Sequence, residues 1–240
     1  MRIVSSLFKW ALWGALTVPL APLGRAEEAL TPKQILDNMV HVYAGCKSYT
    51  DSGSVKAVFT SPSGNFTIER NFTTAFVRPD RFRFECREKN SSSRDSRYIV
   101  WLKGKEVQMW RDTPPAGVRK MDSLTTALAQ TSGPSGGSAS SIPALLFPDR
   151  VGGFRLSNLS ELKRIEDTAF DGSICFRLFG RFSTESAMTL WIDNRTFLLR
   201  RIDSQRKSAQ FNREQTTTYD PVLDSQVNDY LLEFSAPDSR

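Results

Sequence analysis

Two hydrophobic periods run along this chain, one after the other. Over LTPKQILDNMVHVYAG, the residues Ile35, Leu36, Met39, Val40, Val42 and Tyr43 recur at the spacing of one helix face. Thr31 offers an N-cap hydroxyl, Pro32 suits the first helical position and Gln34 completes a capping box, so this helix has a defined start. Gly45 ends it. A face this apolar has to be covered, and we expect Ile35, Met39 and Val42 to pack on the concave side of a curved sheet.

After the helix the period drops to two. In FTIERNFTTAF, the residues Phe66, Ile68, Phe72 and Phe76 share one face, and Thr67, Glu69, Asn71 and Thr73 the other. RFRFECR sets Phe82, Phe84 and Cys86 against Arg81, Arg83, Glu85 and Arg87. Such alternation marks antiparallel strands with one dry and one wet face. YIVWLKGKEVQMW predicts a hairpin turning at Lys103-Gly104. SICFRLFGRF, AMTLWID and FLLRRID continue the pattern around a turn at Asp193-Asn194-Arg195, and REQTTTYDP and DYLLEF close the series. Helices do not alternate with strands, which excludes a parallel βαβ architecture. The order is one helix, about five strands, a short interlude and about five more strands, with no internal repeat.

The interlude breaks both periods. TSGPSGGSASSIPALLFPD crowds glycine, serine and proline before an apolar cluster. It lacks the lysine of a phosphate-cradling loop, since Ser138 and Ala139 follow Gly136-Gly137. Upstream, DSLTTALAQ predicts a short helix capped by Asp122 or Ser123, with Leu124, Ala127 and Leu128 on one side. Downstream, SSIPALLF predicts another with a serine cap, presenting Ile142, Leu145 and Leu146. Neither is long enough to stand alone, so both must lie on the sheet. A flexible elbow between two greasy short helices has the build of a lid; the plainer alternative is a cover over an ordinary core.

Composition narrows the classes. The first 26 residues predict a signal peptide: Arg2 and Lys9 precede an apolar run from Trp10 to Leu20, and small residues precede a cut after Ala26. Residues 27–240 are then expected to form a single exported domain. Without Arg2, Lys9 and Arg25, 29 basic residues face 26 acidic ones, a charge of +3 that argues against nucleic acid as a partner. Sixteen Phe against five Tyr and five Trp imply a Phe-rich core or a greasy surface. Cys46, Cys86 and Cys175 allow three single pairings, and spacing chooses none. No C-x-x-C pair suggests zinc. The single histidine, His41, has neither an H-E-x-x-H context nor a nucleophile elbow. No catalytic residue, metal site or cofactor is expected. The basic positions Arg81, Arg83, Arg87, Arg200, Arg201, Arg206 and Lys207 read as solvated outer strand faces, or else as docking points for an acidic partner or a lipid headgroup. REKNSSSRDSR reads as a hairpin loop.

The capped helix followed by SYTDSG, FVRPDRFRFE, IVWLKGKEVQMW, TLWIDNRTFLLRRID and TTTYDPVLDSQVNDYLLEFSAP resembles the LolA/LolB-like outer-membrane lipoprotein-sorting family of periplasmic carriers. The resemblance implies a mainly β fold: a half-open antiparallel β-barrel with an N-terminal helix and a short helical lid over an apolar concave face. It implies a non-enzymatic carrier that holds acyl chains of lipoproteins or lipids and moves them between membranes. It also implies roles for Arg78, just before proline and bonded to the lid, and for Phe82, in the cavity wall. Together with the residue pattern it nominates Phe82, Phe84, Leu128, Ile142, Leu145 and Leu146 as lipid-binding, Arg78 as the lid latch, and Gly133, Gly136 and Gly137 as the lid hinge. The expected partners are lipoproteins or lipids, an inner-membrane donor and an outer-membrane acceptor, with only peripheral membrane encounters and a monomeric state. The other function class on the same fold is a lipid-sensing module that signals through a protein partner without transport.

Overall fold

The computed structural model describes residues 30–89 and 96–236; the expected signal peptide and most of the REKNSSSRDSR segment lie outside the described residues. Helix α1 (Pro32–Gly45) starts as its sequence predicts. Thr31 Oγ1 accepts from the Gln34 amide at 3.2 Å, and Gln34 Oε1 accepts from the Thr31 amide at 2.8 Å. The buried row is Ile35, Met39 and Tyr43, joined by Leu36. Val42 was expected in that row and is only half-buried. The four-residue steps from Ile35 lead to Tyr43 and leave Val42 on the flank.

Among the described residues twelve strands follow in one sheet, with every pairing antiparallel. Before the interlude come β1 (Ser48–Ser61), β2 (Gly64–Val77), β3 (Arg81–Lys89), β4 (Ser96–Lys103), β5 (Glu106–Arg111) and β6 (Gly117–Lys120). After it come β7 (Ser160–Phe170), β8 (Ser173–Ser183), β9 (Ser186–Asp193), β10 (Leu199–Lys207), β11 (Asn212–Tyr219) and the short β12 (Val222–Leu223). The spatial order is β6-β5-β4-β3-β2-β1-β11-β10-β9-β8-β7, with β12 beside the start of β1. The sheet does not close, so β6 and β7 remain its two edges. The chain between them is the interlude, helices α2 (Leu124–Ser132) and α3 (Ser138–Leu146). It therefore runs from one open edge to the other. α2 packs on β4 and β5, α1 packs on β7, and α3 touches both helices. One row of helices reaches both ends of the sheet only if the sheet curls around them. The result is a half-open barrel with a single core inside the curl.

Several local expectations are corrected. The β4–β5 turn is Gly104-Lys105, one residue later than expected, with Gly104 at φ +62° and Lys103 paired to Glu106. α2 is capped by Ser123, whose hydroxyl accepts from the Thr126 amide at 3.1 Å. α3 has no serine N-cap: it begins earlier, after Gly137 at φ +91°. Ser135 Oγ accepts from the Ala139 amide at 3.1 Å from within the elbow instead. SELKRIEDTAF, unassigned by the pattern, is edge strand β7, whose register slips twice and blurs its period. DYLLEF does not form a strand; Asp229–Leu231 is a 3-10 turn. It crosses the outer face of β3 and β4, where Asp229 pairs with Arg81 at 2.8 Å and the Trp101 indole donates to the Leu232 carbonyl at 2.6 Å. Arg83 and Arg87 are not simply solvated. With Arg97 they surround Glu85; burial alone would raise that carboxyl, but the three guanidiniums hold it down to about 2. All three cysteines are buried free thiols.

Candidate functional site

The inner face of the sheet carries the aromatic positions that the alternation predicts, and the helices fill it. Phe72 lies on Gly53, beside Phe84 at 6.1 Å and Tyr219 at 5.5 Å between ring centroids. Phe147, just past α3, plugs the gap between Phe76 (4.9 Å) and Phe82 (5.6 Å) edge-on. The six nominated lipid-binding residues Phe82, Phe84, Leu128, Ile142, Leu145 and Leu146 all fall in this cluster, each at most 4% exposed. They meet as buried members of one packed cluster.

The interlude helices are weakly built. Each has nine residues, below the length at which a helix holds itself in water. α3 also contains Pro143, which has no amide to offer the Ala139 carbonyl. α2 and α3 join through Ser140 Oγ and Ser132 Oγ at 2.8 Å. Among the described residues, hydrogen bonds from this pair to the rest of the barrel come from few groups. Gln215 Nε2 on β11 donates to the Gly136 carbonyl at 2.8 Å, and Thr131 Oγ1 reaches the Met109 sulfur at 3.7 Å. Arg78 supplies the third tie. It follows β2, where its guanidinium lies 5.1 Å from the Phe76 ring centre. Its Nη2 donates to Leu146 O at 3.3 Å, at the end of α3, and to Tyr43 O at 3.4 Å; its Nε donates to Cys46 O at 2.8 Å, at the end of α1. Two helix C-termini thus present carbonyls to one guanidinium, and neither helix has a basic residue in its own last turn.

The elbow is a compact turn seated on the sheet. Gly136 (φ +64°) and Gly137 (φ +91°) hold left-handed backbone that favours glycine; Gly133 is right-handed and needs none of that freedom. A Cβ on Gly136 would press against Val55, Gln215 and Arg70, so this glycine also permits the close approach. Beneath the elbow opens a pocket of about 480 Å³ that none of the six nominated residues lines. Its walls are the elbow, Met188 of β9, Ile202 and Arg206 of β10, Arg213 and Gln215 of β11, and the paired rings of Phe154 and Phe182 at 4.6 Å. Arg206, read as an outer-face residue, is corrected to this inner wall. Its parity was legible, because it shares a face with Ile202 and Ser204; what was missing was which face is inside. Phe66 has the inner parity too, yet it is 54% exposed and stacks on Phe59 at 4.6 Å, because the β1–β2 hairpin runs beyond the helices.

Deeper on the inner face sits a carboxyl. Asp51 of β1 is buried and accepts from Tyr49 Oη at 2.8 Å. Burial is the main cause that pushes its pKa up to about 7, with a smaller push from Asp220. The folded chain therefore binds this proton more tightly than the unfolded one. Stability from Asp51 is full below about pH 4 and is lost as pH rises through about 7. Unfolding free energy should fall by on the order of 4 kcal/mol across that window from this group. Chemical denaturation at several pH values should show the slope in the native protein and a flatter profile in Asp51→Asn; an equal slope in both would refute the assignment.

No helix among the described residues is long and apolar enough to cross a membrane. No protein-family model and no curated protein matches the chain. Solved structures similar to it include a putative outer membrane lipoprotein-sorting protein domain from Vibrio parahaemolyticus, at 10% identity over 82% of this chain and 94% of that one, with a TM-score of 0.37. A LolA superfamily protein from Nitrosomonas europaea is similar at 10% identity over 86% and 99%, with a TM-score of 0.32. The MucA/MucB complex of Pseudomonas aeruginosa is similar at 12% identity and a TM-score of 0.45, over 85% of this chain but 61% of that chain. The structures similar to this chain thus include representatives of the lipoprotein-sorting group that its sequence resembles.

Proposed function

We propose that the protein is an exported, periplasmic carrier that takes acyl chains of lipoproteins or lipids against the inner face of the barrel, beneath a lid formed by α2 and α3. The observation that carries this reading is an apolar, aromatic sheet face covered by two helices too short to stand alone and tied to the barrel by few polar groups. In this reading the present arrangement is the closed one. Leu128, Ile142, Leu145 and Leu146 keep the face dry until an acyl chain replaces them on Phe82 and Phe84. The exchange is close to balanced, because one apolar surface substitutes for another, and each methylene taken from water contributes about 0.8 kcal/mol. The pocket under the elbow is where the chain would enter as the helices lift. No step in this function needs a catalytic group.

The test is extraction of a fluorescent triacylated lipopeptide from donor vesicles and its delivery to acceptor vesicles. The native protein should do both. Leu145→Asn with Leu146→Asn should weaken extraction at least 10-fold while circular dichroism still reports the β-sheet. Failure of the native protein to extract, or equal extraction by a folded double variant, would overturn the reading. Extraction without delivery would favour a sensing module that passes the signal to a protein partner.

A further inference from the structure

Arg206 and Arg213 stand directly opposite each other on the antiparallel β10–β11 pair. Residues so paired point to the same face, and like charges in that position repel. Both line the pocket beneath the elbow. The surroundings do not neutralise them. Glu185 lies 4.0 Å from Arg206, with both side chains more than half exposed, and Glu88 at 2.8 Å is taken by the neighbouring Arg70. Among the described residues Arg213 has no carboxylate within ion-pair distance, and its buried Nε has no acceptor. Burial first, then Arg206 and Arg70, lower its affinity for its proton. Gln215, also in the wall and 8% exposed, leaves its buried Oε1 without a donor. Its amide orientation is fixed, because the Gly136 carbonyl at 2.8 Å requires the NH2 side. The pocket thus holds spare cationic donors beside a spare acceptor.

The remaining lining is of two kinds. Ser132, Ser140, Ser141, Ser183, Ser186 and Ser204 supply small hydroxyls. Met188, Ile202, Phe154 and Phe182 form an apolar flank, and Phe182 is 47% exposed at the mouth. Two facing arginines, one of them half-buried with no carboxylate within ion-pair distance among the described residues, are unfavourable for folding, and such arrangements are commonly retained where they bind. Two guanidinium forks opposite one another suit a tetrahedral anion with several acceptor oxygens.

We propose that this pocket binds the phosphodiester headgroup of an anionic, hydroxyl-bearing lipid, with the phosphate between Arg206 and Arg213 and a headgroup hydroxyl donating to Gln215. The volume of about 480 Å³ fits a headgroup and the first carbons of a tail, which would leave along Phe154 and Phe182. This deepens the carrier reading and rests on it for the tail; the head site rests on the arginine pair alone.

Calorimetry with dihexanoyl phosphatidylglycerol and dihexanoyl phosphatidylcholine, both below micelle formation, separates the two. Phosphatidylglycerol should bind at least 10-fold more tightly. Arg213→Gln and Arg206→Gln should each abolish that preference. Arg213→Gln should meanwhile melt no lower than the native protein without ligand, because it relieves a repulsion; a merely structural arginine would lose stability instead. Equal affinity for the two lipids, or a preference surviving in both variants, overturns the headgroup site and leaves the carrier reading standing. Inorganic phosphate binding as tightly as phosphatidylglycerol overturns the lipid source in favour of a free-anion site. Binding of neither lipid overturns the headgroup site, while the carrier reading is decided separately by lipopeptide extraction.

Discussion

Arg78→Leu should leave the sheet folded and accelerate amide exchange across residues 124–147 by roughly 10- to 100-fold, the range that corresponds to losing about 1.5–3 kcal/mol of charged hydrogen bonding. The native guanidinium donates to Leu146 O on the lid and to Tyr43 O and Cys46 O on α1. Leucine removes all three donors and the positive charge on which both helix C-termini converge. The side chain is only partly buried, so the sheet itself should keep its core. α3 is the element that responds, because Pro143 already weakens it and its other firm tie, Gln215 to Gly136, lies at the far end of the lid. Lipopeptide uptake should become faster and retention shorter, because the closed state loses stability while the apolar face is untouched. Arg78→Lys should give an intermediate result: the charge stays, but one ammonium lacks the planar fork that spans two helices. Hydrogen exchange read by mass spectrometry, with vesicle transfer alongside, decides the matter. Native-like protection of residues 124–147 together with native transfer in Arg78→Leu would reduce Arg78 to a cap on the end of α1.

Gly53→Ala should destabilise the whole domain by about 3 kcal/mol or more, at the upper end of overpacking costs. Gly53 sits in mid-β1, opposite Phe72 on one side and Tyr219 on the other. A Cβ there would enter the space of the Phe72 ring and of the Thr218 carbonyl oxygen. The ring could turn, but the carbonyl belongs to the backbone of β11 and cannot move without disturbing the ladder. For a domain of this size the loss should lower the melting temperature by roughly 6–12 °C. Urea denaturation gives the free energy directly. A loss below about 1 kcal/mol would mean that the β1–β11 ladder yields far more than close packing permits.

How much of this was legible in the chain depends on how far each cause acts along it. Thr31, Pro32 and Gln34 lie within one turn of each other, so the start of α1 follows from chemistry local to those residues. Phe82, Phe84 and Cys86 alternate with charged residues, and each strand shows its own parity whatever its partner is. The interlude helices were legible for the same reason, though α3 starts two residues before SSIPALLF, where its first turn is held by a hydroxyl in the elbow, Ser135, that serine spacing alone did not single out. β7 was lost because its register slips, and DYLLEF misled because a segment held by Trp101 and Arg81 needs no ladder partner.

By itself the sequence determined that residues after α1 make antiparallel strands with one dry face, that two short apolar helices interrupt them, and that Phe72, Phe76, Phe82 and Phe84 share the dry side. Parity, capping and propensity act between residues a few positions apart, and no tertiary contact is needed to express them. Only the tertiary structure decided which face is inside at each point along β10 and β11, and so placed Arg206, read from the sequence as an outer-face charge, beside Arg213 in the wall of a pocket. It also brought Arg78 to carbonyls 32, 35 and 68 residues away in the sequence, and placed Gly53 under the Phe72 ring. These placements depend on how far the sheet curls and where the interlude crosses between its edges. That curl is set by the packing of all twelve strands on three helices at once, which no local window of sequence contains.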